Sequence, residues 1–100
     1  MIRVLLSVVT VFLLANGATQ AAGDAGAGKM KAAGCVGCHG PNGQGVPPNP
    51  GLAGKSADDL LQAMQDYKSG KRNNAVMKAL MAGLSDQDMA NLAAYYASLK

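Results

Sequence analysis

An all-α domain is the fold class this sequence predicts, on three observations. From residue 23 onward the chain has no Ile, Thr or Phe, and its only β-branched residues are Val36, Val46 and Val76. Strands draw on β-branched and aromatic side chains, whereas Ala, Leu, Met, Lys and Gln favour helix. Ser56 with Asp59, and Ser85 with Asp88, each set a capping residue three positions before an acid, a helix-start signal. The apolar residues behind those starts return at the helical period instead of alternating.

The chain opens with a segment of another kind. Arg3 precedes an almost unbroken apolar run over residues 4–14, and small and polar residues follow to Ala22. That is the layout of a secretory signal peptide, with a run too short to span a bilayer comfortably. Residues 1–22 are read as the signal, cleaved near 21–23, and 23–100 as one exported domain, periplasmic in a bacterium.

Within that domain, residues 24–34 form a modest helix of Ala, Gly and Lys. Residues 40–54 are too rich in Gly and Pro for regular structure, and a loop that long in a small domain is usually functional. Ser56 then opens a helix with Leu60, Leu61, Met64 and Tyr67 on its apolar face, ended by Gly70. Asn73 or Asn74 caps a short helix carrying Met77, Leu80, Met81 and Leu84, closed near Gly83. Ser85 starts the last helix, whose buried face holds Met89, Leu92, Ala93, Tyr95, Tyr96 and Leu99.

Such a domain holds few large apolar side chains and no Trp. Domains this small usually need a staple, because burial barely offsets chain entropy. A large planar cofactor at the centre would supply the missing core. The formal charge of +3 is dispersed and aromatics are scarce, which argues against nucleic acid as a partner.

The stretch GCVGCHG, residues 34–40, holds both cysteines and the only histidine of the chain. A thioredoxin-type dithiol wants a strand before it, and strand formers are missing here. A zinc site needs four ligands, and Cys35, Cys38 and His39 supply three, two of them adjacent in the chain. The order C-x-x-C-H is the attachment signature for haem: two thiols add to the two vinyl groups, and the next residue places its imidazole under the iron. One haem c per chain is the cofactor expected. The sixth ligand stays open on periodicity, because Met77 and Met81 fit the same helical stripe, while Met64 and Met89 read as packing.

Residues 35–40 (CVGCHG), 50–54 (PGLAG), 67–77 (YKSGKRNNAVM), 84–86 (LSD) and 92–96 (LAAYY) together resemble class I c-type cytochromes, and among them the small monohaem cytochromes of the c-553 group. The resemblance implies several short helices wrapped around one haem, His39 and Met77 as axial ligands, and thioethers at Cys35 and Cys38. It also implies that the Pro50 carbonyl orients His39, that Arg72 pairs with a haem propionate, and that Gly28 and Tyr95 mark a crossing of the first and last helices. The function implied is a monomeric periplasmic electron carrier, not an enzyme. Its partners would be a membrane cytochrome complex, a terminal oxidase or reductase, or a periplasmic dehydrogenase, with the membrane met only through them. The alternatives are a haem subunit of a larger respiratory or dehydrogenase complex and, without a methionine ligand, a gas- or peroxide-reactive protein. Lys68, Lys71, Arg72 and Lys78 flank Met77 and would ring the haem edge for an acidic partner.

Overall fold

A computed structural model describes residues 23–99. Among them are five α-helices and no strand: α1 Ala25–Lys31, α2 Val36–His39, α3 Ala57–Ser69, α4 Ala75–Ala82 and α5 Asp86–Ser98. A 3-10 turn, Ala32–Gly34, leads from α1 into α2. The segment read as a signal peptide lies outside the described residues. No described helix is long and apolar enough to cross a membrane.

Side chains begin four of these helices. Asp24 accepts from the Gly26 and Ala27 amides, Ser56 Oγ from Asp59, Asn74 Oδ1 from Met77, and Ser85 Oγ from Asp88. Each satisfies a first-turn amide that the helix itself cannot, a contribution of about 1 kcal/mol. The two Ser-x-x-Asp signals differ in outcome. Asp88 returns its carboxylate to the Ser85 amide at 3.0 Å and closes the capping box, whereas Asp59 makes no such return. Of the two candidate asparagines, Asn74 is the cap. Gly70 ends α3 in the left-handed conformation, φ 83°, which costs a residue without Cβ nothing.

α1 and α5 cross at Gly28. A Cβ there would overlap the Asn91 carbonyl and sit 2.8 Å from Tyr95 Cβ, so only glycine lets the two backbones meet. The side-chain oxygen of the buried Asn91 is paired twice beside the crossing. This Oδ1 accepts from the Asp24 amide and from Gln87 Nε2, both at 2.8 Å. Met89 and Leu92 are the largest side chains fully closed off, and Ala32, Leu60, Ala93 and Tyr96 complete the core around Leu92. α3 packs on α5, and α4 rests on α3. Between α2 on one side and α3 with α4 on the other lies a cleft.

Candidate functional site

One helical turn brings the three reactive side chains to one side. The amides of Cys38 and His39 both bond the Cys35 carbonyl, at 3.3 and 2.9 Å, and Gly40 bonds that of Val36 at 2.9 Å. Residues three and four apart share a face of such a turn. Cys35, Cys38 and His39 therefore line the cleft, while Val36 points to solvent. The sequence analysis ran a helix to residue 34 and a loop from 40, and gave the pentad no helix of its own. Four residues carry too little periodicity to announce one.

His39 is 6% exposed and its orientation is set from behind. Nδ1 lies 2.8 Å from the Pro50 carbonyl oxygen. That oxygen can only accept, so Nδ1 carries the proton and Nε2 keeps its lone pair free to bind a metal. The Gly/Pro loop braces the same residue a second time, because the Gly45 amide donates to the His39 carbonyl at 2.8 Å. Leu52 and Ala53 close the loop on the Gly43 carbonyl at 2.7 and 2.9 Å. The long loop is thus a bracket for one imidazole.

The cleft has a volume of about 640 Å³, within the range of pre-formed small-molecule sites. Leu60, Met64, Leu80 and Leu92 give it an apolar lining, and Arg72, Lys55 and Asp59 stand around it. The Arg72 guanidinium carbon lies 5.1 Å from the centre of the Tyr67 ring, a cation–π distance. Met77 and Met81 both line the same cleft as the pentad. They differ in enclosure: Met81 is 3% exposed and held within protein, whereas Met77 is half-buried and keeps accessible surface.

No disulfide joins the two cysteines; Cys35 is half-buried and Cys38 exposed. Burial pushes the Cys35 thiol up from its ordinary value, opposed by the Tyr96 hydroxyl beside it and reinforced by Cys38. Burial likewise raises Tyr96 well above the usual phenol range. That Tyr96 reaches Cys35 was invisible in the sequence, where it reads as one more apolar position of α5. Among the described residues, no group of three or more His, Cys, Asp or Glu side chains could hold a bare metal ion, which weighs against the zinc reading. Two thiols, an imidazole with a free Nε2, and thioethers in one apolar cleft fit an iron porphyrin.

Comparison with known proteins agrees with that donor set. The cytochrome c family model matches residues 23–100. The chain is 51% identical over 86 residues to cytochrome c4 of Pseudomonas aeruginosa, covering 85% of this chain and 43% of that protein. It is 48% identical over 81 residues to cytochrome c-554(548) of Halomonas halodenitrificans, covering 77% of this chain and 98% of the relative. Among solved structures, reduced recombinant cytochrome c4 from Pseudomonas stutzeri superposes with a TM-score of 0.75 at 40% identity, over 79% of this chain and 47% of that one. The chain therefore spans about half the length of the c4 proteins it matches and nearly all of the c-554 protein. These relatives are named c4 and c-554, where the resemblance in sequence pointed to the neighbouring c-553 group.

Proposed function

The chain belongs to the cytochrome c family, with the class I fold and one covalently bound haem c, and from that premise we propose a periplasmic carrier of single electrons. In this reading Cys35 and Cys38 would hold the haem through thioethers, and His39 and Met77 would supply side-chain ligands to its iron. When bound, the haem supplies a one-electron ferric/ferrous couple. The observation that carries the proposal is the common cleft: an imidazole whose Nδ1 is held by Pro50 and an accessible methionine line the same apolar space.

Each residue then has a physical task. The Pro50 carbonyl fixes the plane of His39 and raises its basicity. Met77 offers a soft thioether, which favours the ferrous state and raises the potential relative to a second histidine. Leu60, Met64, Leu80 and Leu92 exclude water, which disfavours the extra positive charge of the ferric state. Arg72, steadied on Tyr67, is placed to meet a propionate at the rim. With His39 and Met77 both given to the iron, no position would remain for a substrate, which supports a carrier over an enzyme. Lys71, Arg72 and Lys78 present positive charge beside the same wall and suit an acidic redox protein as partner.

One observation favours a second reading, a haem unit working within a larger protein or complex: the chain matches only about half of the c4 relatives. Size-exclusion of the native extract separates a free monomer from a bound subunit.

The ligand assignment is tested by spectrum and potential. The ferric protein should show the weak near-infrared band of a methionine–iron bond. Met77→Ala should abolish that band and lower the potential. Met81→Ala should keep the band and destabilise the fold by about 2–5 kcal/mol, as a buried cavity does. Loss of the band in Met81→Ala alone would transfer the ligand to Met81.

A further inference from the structure

Lys68 does not behave as the surface charge its position suggests. It is half-buried, and its Nζ donates to the Leu84 carbonyl oxygen at 2.5 Å, a bond spanning 16 residues. A lysine in the last turn of a helix ordinarily stays in solvent beside its own helix's carbonyls. Here it reaches past α4 to the residue where the chain leaves that helix. The bond closes a loop that contains all of α4, including Met77 and Met81.

α4 needs such a tie. It packs on α3, and its contacts with the other described helices are slight at most. Its leading end is anchored to α3 by the Arg72 amide on the Asp66 carbonyl at 3.0 Å and by the Arg72–Tyr67 stack. Lys78 adds a contact in the middle, where its Nζ lies 3.3 Å from the place a Gly70 Cβ would take. The trailing end has Lys68. A charged donor makes a hydrogen bond about twice as strong as a neutral one, and here it is partly shielded from water.

We propose that Lys68 is a positioning residue for the sixth ligand, a latch that holds the trailing end of α4 on α3 and so keeps the methionine wall against the cofactor. Neither α1 nor the loop that brackets His39 makes use of the bond, and α5 begins beyond it with its own Ser85–Asp88 capping box. The role rests on the reading of Met77 as axial ligand. It also removes Lys68 from the set of free docking charges.

The test compares haem-loaded wild type with Lys68→Met, which keeps the aliphatic arm, Lys68→Arg, which keeps a donor, and Lys71→Met, which loses only a surface charge. Amide exchange of residues 78–83 should speed up by at least about tenfold in Lys68→Met, the scale expected for losing a bond to a charged group. Exchange in α1 and α5 should stay as in wild type. The near-infrared band should fade at a lower temperature than the helical circular dichroism, with Lys68→Arg largely restored and Lys71→Met unaltered. Unchanged exchange in α4, or the same acceleration in every helix, would overturn the latch. Faster exchange confined to α4 with a band that does not respond would overturn the positioning role, whereas a band absent from wild type would overturn Met77 as ligand instead.

Discussion

The α1–α5 crossing and the α3–α4 wall are built by opposite means. At the crossing, glycine brings backbone against backbone, Asn91 is buried with its acceptor oxygen paired twice, and Met89 and Leu92 are closed off from solvent. At the wall, contact runs through side chains: a lysine bond, an arginine over a tyrosine, and apolar residues that stay open, Leu80 at 44% and Val76 at 64% exposure. One half of the domain completes its own core. The other offers an apolar face that only a bound planar group completes, and it is the half that carries the variable chemistry.

That division predicts where damage spreads. The largest effect belongs to attachment. In the Cys35→Ala, Cys38→Ala double variant little stable holoprotein should accumulate, and acid-acetone should extract whatever haem remains. The α3–α4 wall then loses its packing partner, while α5 feels the change where Tyr96 lies beside Cys35. Haem that resisted extraction would contradict the attachment, and helices lost in equal measure throughout would contradict the division.

Gly28→Ala attacks the other half. A methyl group there overlaps the Asn91 carbonyl, and since backbone must move to admit it, the cost should be about 1–3 kcal/mol or more by denaturant titration. The methionine–iron band at ambient temperature should be unchanged, because Gly28 does not line the cleft. A variant as stable as wild type would mean that the two helices slide past the intrusion.

The sequence disclosed these halves unequally. Caps at Ser56 and Ser85, the stop at Gly70 and the Cys35–Cys38–His39 motif, though not the helical turn that carries it, were legible because each depends on a short local pattern. The Gly28 crossing came through resemblance, since a glycine gives no sign by itself of which carbonyl will press on it. Met77 against Met81 was not separable by period, because residues four apart fall on one helical face. Burial distinguishes them only when the neighbouring helix is in place. The Lys68–Leu84 bond left no trace at all: a lysine among lysines looks solvated until the fold shows its partner. Local chemistry is written locally, and long-range ties are not.

The smallest predicted effect sits where the two halves join, at the start of α5. The Asp88 carboxyl is held below the usual carboxylate range, chiefly by the hydrogen bond from the Ser85 amide, with a smaller pull from Lys31. The Lys31 ion pair spans 3.8 Å with both side chains partly exposed, so the capping box matters more than the pair. A pKa lowered in the folded state means that the unfolded chain binds the proton more readily. The stabilisation is therefore complete above the ordinary aspartate range and is lost as pH falls through the folded value. Asp88→Asn keeps an acceptor for the Ser85 amide but removes the charge at the helix start. Thermal unfolding of the holoprotein should show the variant slightly below wild type at neutral pH, with the gap closing as pH falls below the ordinary aspartate range. The near-infrared band should be the same in both proteins at every pH where they stay folded, because Asp88 caps α5 and does not touch the methionine wall. A gap that persists undiminished into acid would assign the difference to packing of the side chain, not to its charge.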